Sequence, residues 1–169
     1  MKKRYLIPLL MFVVAACTRT YSVYSHKYPV SFSCDITSSP FNSTNTLDYF
    51  LTVRPTSTKD GYKVRLPDGI ERIFPYTEVQ NRVFQFGLAG IIVGRPYFGE
   101  GEMYAYDLGC PQCDRSSSRL IVDTGGMATC GKCSSRYDLN NGGVAYDGNS
   151  RPLYRYQTTL NGNFLMVHN

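Results

Sequence analysis

Histidine is scarce: His26 and His168 are the only two in 169 residues. Neither has a second ligand or a carboxylate at useful spacing, so both are read as solvated surface residues. A histidine-ligated metal or a histidine-based catalytic pair is not expected. Basic clusters are missing too. The chain holds 18 Lys+Arg against 13 Asp+Glu, but Lys2, Lys3 and Arg4 supply three of the cations, which leaves 15 against 13 from residue 17 onward. No electrostatic footprint of a nucleic-acid binder remains, and nucleic acid is excluded as a partner. No segment of ten or more residues repeats apolar side chains at i, i+3, i+4 and i+7, which excludes a substantial helix. Gly87 to Gly94 lacks the Lys-Ser/Thr of a phosphate loop and a helix to follow, so it is read as a buried central strand. Intrinsic disorder is excluded by a composition that is 43% hydrophobic and 14% aromatic.

What is present begins with Lys2, Lys3 and Arg4, an apolar stretch from Tyr5 to Val14, and the small residues Ala15 and Ala16 before Cys17. The apolar stretch is about half of the ~20 residues that a bilayer span requires, so it reads as an export signal. Val14-Ala15-Ala16-Cys17 resembles the bacterial lipobox. That resemblance implies cleavage after residue 16 and lipidation of Cys17, with residues 17–28 as a tether and 29–169 as one domain. Thr18 in place of an acidic residue favours the outer membrane, facing the periplasm. The expected location is therefore the cell envelope, with the membrane as partner through the lipid anchor.

Strand signals recur along the rest of the chain. Val30, Phe32 and Cys34 alternate with serines, and Tyr62, Val64 and Leu66 alternate with Lys63 and Arg65. Pro67-Asp68-Gly69 then turns the chain into Ile70 to Phe74, because Asp-Gly supplies the positive φ of a tight turn. Further strands are predicted at Phe50 to Val53, Val83 to Phe86, Leu88 to Val93, Met103 to Asp107, Leu120 to Asp123, Tyr154 to Thr158 and Phe164 to Val167, with a second hairpin at Asn161-Gly162. Residues 38–60 are the expected long loop. The fold class is all-β.

Five cysteines follow Cys17. Cys110-Pro111-Gln112-Cys113 and Cys130-Gly131-Lys132-Cys133 have the C-x2-C spacing, sixteen residues apart, of a metal site. Two such turns aim four sulfurs at one point and supply a tetrahedral thiolate centre. Cys34 is read as a buried core thiol.

From Met103 to Val167 the chain resembles a Rieske domain. The likeness lies in Tyr104-Ala105-Tyr106-Asp107-Leu108-Gly109-Cys110-Pro111, the second ligand pair, Arg136-Tyr137-Asp138-Leu139 with Gly142-Gly143, Arg151-Pro152-Leu153-Tyr154-Arg155-Tyr156 and the closing strand 163–167. The resemblance implies a Rieske-like antiparallel β-sandwich of three small sheets, with a rubredoxin- or zinc-ribbon-like subdomain whose loops, 108–136, hold the metal. The family binds a [2Fe-2S] cluster through two Cys and two His. Here Cys110 and Cys130 keep that role, while Cys113 and Cys133 stand in for the histidines. A chain exported through Lys2-Lys3-Arg4 lacks the twin-arginine route used for preassembled clusters and meets an oxidising compartment. Zinc is therefore the favoured cofactor, with a [2Fe-2S] cluster or disulfides among the four cysteines as the alternatives. A closed four-thiolate site with no nearby acid-base pair points to a structural or interaction role, and an enzyme is not expected. The competing expectation is an electron carrier with a redox partner in the envelope.

Overall fold

The computed structural model describes residues 23–98 and 101–169; the signal segment, Cys17 and the first part of the tether lie outside them. The elements are β1 (Val30–Asp35), a 3₁₀ turn (Phe41–Asn45), β2 (Tyr49–Pro55), β3 (Gly61–Arg65), β4 (Glu71–Pro75), α1 (Glu78–Val83), β5 (Gln85–Phe86), β6 (Ile91–Arg95), β7 (Tyr104–Asp107), β8 (Leu120–Val122), β9 (Met127–Cys130), β10 (Arg136–Asp138), β11 (Val144–Ala145), β12 (Arg155–Asn161) and β13 (Phe164–His168). The all-β class holds. The named strands form two sheets, a nine-stranded one in the order β4-β3-β2-β6-β7-β12-β13-β1-β5 and a four-stranded one in the order β11-β10-β9-β8. This corrects the expected three sheets: β12 bridges β7 and β13 and fuses two of them into one.

The large sheet folds back on itself. Phe32 on β1 meets Tyr62 on β3 edge-on at 5.9 Å, and both belong to one core with Val53, Ile91, Val93, Leu165 and Val167. The small sheet covers the opposite face of β2, β6 and β7, where Phe50, Ile92, Tyr106 and Leu108 join Leu120, Val122, Ala128, Tyr137 and Leu139 in a second core. The central strands are thus buried on both faces, which explains why Ile91-Ile92-Val93 shows no polar alternation. Glycines bracket that run. A Cβ at Gly90 would lie 2.7 Å from the Val53 carbonyl oxygen, and one at Gly94 would lie 2.2 Å from that of Tyr49.

Several sequence expectations are corrected. Residues 38–60 are not one loop, because a 3₁₀ turn and all of β2 lie within them. Val83 ends α1 rather than starting a strand; Thr77 caps this helix by accepting from the Gln80 N–H while the Gln80 side chain accepts from the Thr77 N–H. The Leu88–Val93 strand starts only at Ile91, since Gly87 and Gly90 have positive φ. Within residues 23–28, read as part of the tether, the Ser25 N–H donates to the Arg155 carbonyl at 2.7 Å, and Lys27 and Tyr28 both bond Asp114. His168 is half-buried on β13 with its Nε2 3.0 Å from Thr159 Oγ1, and His26 is exposed.

Candidate metal centre

Two similar turns present the four cysteines. The first follows β7, where the Cys110 N–H donates to the Ser118 carbonyl at 2.8 Å and the Asp114 N–H returns to the Cys110 carbonyl at 2.8 Å. The second joins β9 to β10, where the Cys130 N–H donates to Ser135 at 2.9 Å and the Ser134 N–H returns to Cys130 at 2.9 Å. In both, the residue after the second cysteine is left-handed without being glycine: Asp114 at φ 51° and Ser134 at φ 60°. These conformations cost on the order of 1 kcal/mol each, and the close sulfur pairs form between the two turns, Cys110 with Cys133 and Cys113 with Cys130.

The result is one cluster. All four Sγ atoms lie within 4.8 Å of one another. Cys110 and Cys133 are 3.5 Å apart, and Cys113 and Cys130 are 3.8 Å apart. Both separations exceed the ~2.05 Å of a disulfide, so all four are free thiols here. A tetrahedral ion with ~2.3 Å metal-sulfur bonds has thiolates ~3.8 Å apart, which these distances fit.

Electrostatics distinguishes the four. Cys110 and Cys130 are buried against the second core, Cys113 is half-buried, and Cys133 is exposed. Burial pushes the Cys113 thiol up to about 12, reinforced by the neighbouring thiols of Cys133 and Cys130. Burial likewise raises Cys110, partly offset by backbone N–H groups and the Tyr137 hydroxyl 3.5 Å away. At Cys133 desolvation also pushes upward, but hydrogen bonding to Ser135 and to the thiols of Cys110 and Cys130 outweighs it and brings the thiol down to about 6. The first negative charge therefore settles at the solvent edge, on Cys133.

Two carboxylates that the sequence reading did not single out position the first turn. Asp107, fully buried at the end of β7, accepts from the Gly109 N–H, the Leu88 N–H and the Tyr156 hydroxyl, each at 2.6 Å. Burial raises its pKa, and those three hydrogen bonds oppose the rise. The signal for it was local, because a carboxylate two residues ahead of a glycine forms an Asx turn. Asp114 accepts from Lys27 Nζ at 2.5 Å, the Tyr28 hydroxyl at 2.8 Å and the Tyr154 hydroxyl at 2.9 Å. Those bonds, the lysine's first, hold its carboxyl at about 2. Nothing in the sequence announces this partner set, which lies 40 and 86–87 residues away. Cys34 sits in the first core, where burial lifts its thiol to about 12, as expected for a packing residue.

No family model matches the chain, and no curated protein matches it. Among solved structures, a ferredoxin from Sphingomonas yanoikuyae B1 is similar over 52% of this chain and 81% of its own, at 17% identity and a TM-score of 0.33.

Proposed function

We propose that the chain is an exported, lipid-anchored protein in which Cys110, Cys113, Cys130 and Cys133 hold one metal ion, zinc in preference. The ion ties the two turns of the small sheet together. The observation that carries this is the four-sulfur cluster, whose 3.5 and 3.8 Å separations suit a single tetrahedral ion. Zinc bound there supplies folding energy rather than reactivity, since four thiolates fill its coordination. The chain's own part is to bring the four thiolates together on the two turns and to bury two of them. A structural or docking role in the envelope follows, with no catalytic step.

The test is metal analysis of protein purified without added metal. One zinc per chain supports the proposal, and single Cys→Ala variants at the four positions are expected to expose residues 110–133 to protease while the N-terminal strands stay protected. The anchor is tested separately: Cys17→Ser is expected to move the protein into the soluble fraction, and continued pelleting with membranes argues against lipidation. The exposure of Cys133 favours one competing reading, a Rieske-like electron carrier, because it brings the centre to the surface where electrons exchange. A brown protein with absorption between roughly 400 and 600 nm and two irons per chain would establish that reading and overturn zinc.

A further inference from the structure

The loop between β6 and β7 carries two adjacent aromatic side chains in water: Tyr97 is 58% and Phe98 76% exposed. They are not loose. Their rings stack edge-to-face at 4.8 Å, and the Tyr97 N–H donates to Asn140 Oδ1 at 2.7 Å, whose Nδ2 donates to Asp48 at 2.6 Å. Fixing the backbone of an exposed aromatic pair costs conformational entropy. Leu47, 50% exposed and bridged to Arg95 at the foot of the loop, extends the apolar tip.

The place of this tip decides what covers it. The N-terminal segment enters the fold at the same end: Tyr24 and Gly101–Met103 of the loop line one cavity of about 240 Å³. The Arg155 guanidinium lies over both the Tyr24 and the Tyr104 rings, at 5.5 and 4.0 Å from their centroids. Cys17 precedes Tyr24 by seven residues, which span at most ~25 Å even fully extended. On the lipid-anchor reading, Tyr24 and the loop beside it stay within ~25 Å of the bilayer that holds the lipid. Asn140 follows β10 (Arg136–Asp138), at the end opposite the Cys133–Ser135 turn.

We infer that Tyr97 and Phe98 seat in the interfacial layer of the membrane that holds the chain's own lipid. This rests on the lipid-anchor reading. A tyrosine is amphipathic and suits the headgroup region, while the neighbouring phenylalanine reaches the acyl boundary. The pair then fixes the orientation of a domain that one flexible tether would leave free to tumble, with the metal centre turned away from the bilayer.

The absence of tryptophan makes the test direct. Phe98→Trp and, as a control on the outer face of the small sheet, Tyr146→Trp each place a single indole in the full chain. Acylation is verified by mass, and the protein is reconstituted in phosphatidylethanolamine-phosphatidylglycerol vesicles. The Phe98→Trp emission is expected to shift to shorter wavelength, to be quenched by lipids brominated on their acyl chains and to be shielded from aqueous iodide; Tyr146→Trp is expected to behave oppositely. An acylated chain in which both reporters are quenched by iodide, or both equally by brominated lipid, overturns the loop contact and leaves the anchor standing. A chain without acyl groups overturns the anchor and this inference with it.

Discussion

Asp107→Ala is the substitution that most directly tests how the first cysteine turn is held. The carboxylate is fully buried, and its removal orphans the Leu88 N–H, the Gly109 N–H and the Tyr156 hydroxyl at once. An unsatisfied buried donor costs ~1–3 kcal/mol. Relief of the desolvation that raises the Asp107 pKa, and entry of water into the vacated space, pull the sum toward its lower end. A loss of about 3–5 kcal/mol is expected. Tyr156→Phe leaves both N–H bonds to the carboxylate intact and is expected to cost about 1–1.5 kcal/mol. In the double variant no hydroxyl is left to be orphaned, so the combined loss should fall short of the sum by ~1–2 kcal/mol. Urea unfolding of the metal-loaded protein measures all three. An Asp107→Ala loss below about 1 kcal/mol, or strict additivity, would refute the hydrogen-bond account. Because the Gly109 N–H adjoins Cys110, metal affinity is expected to fall ~10–100-fold in the same variant, as for other groups that support ligands.

Other outcomes follow from the same structure. In the metal-free, reduced protein Cys133 is expected to alkylate first, with a rate that rises as pH passes its thiol pKa of about 6 and the thiolate forms. Peptide mapping that finds Cys113, held up at about 12, labelled equally fast would contradict the assignment. Cys34, also raised to about 12 by burial, should react only after unfolding, which mass shifts before and after urea would reveal. Gly87→Ala drives a Cβ to 2.3 Å from both Asp107 Oδ2 and the Tyr156 hydroxyl at φ 66° and is expected to cost about 2–4 kcal/mol. Gly162→Ala, with φ 59° but open space around it, should cost only about 1–2 kcal/mol in the same unfolding measurement.

Much of this was legible in the sequence where the signal is local. Asp68-Gly69 and Asn161-Gly162 each sit in the hairpin they announce, β3 to β4 and β12 to β13. The C-x2-C spacing brought together the four sulfurs that the structure clusters. Of the small sheet only β8 was legible, as the strand at Leu120 to Asp123; β9 to β11 are two to four residues long, too short for alternation to stand out. The helix was hidden by its six residues, although Thr77 and Gln80 spell its capping box. Asp114 was invisible for another reason: its meaning depends on Lys27, Tyr28 and Tyr154, which only the folded chain brings near.

The strand β6 poses a problem of alignment that its side chains do not solve. With Ile91 and Val93 facing one core and Ile92 the other, a slip by one residue exchanges apolar groups for apolar groups and exposes none of them. Hydrophobicity is therefore silent about how far β6 slides along β2. Steric exclusion supplies the missing information: only glycine fits beside the Tyr49 and Val53 carbonyls, so Gly94 and Gly90 act as two stops. A slipped strand drives an isoleucine or an arginine into one of them. Since β7 aligns on β6 and ends three residues before Cys110, two residues without side chains set where the first thiolate lands.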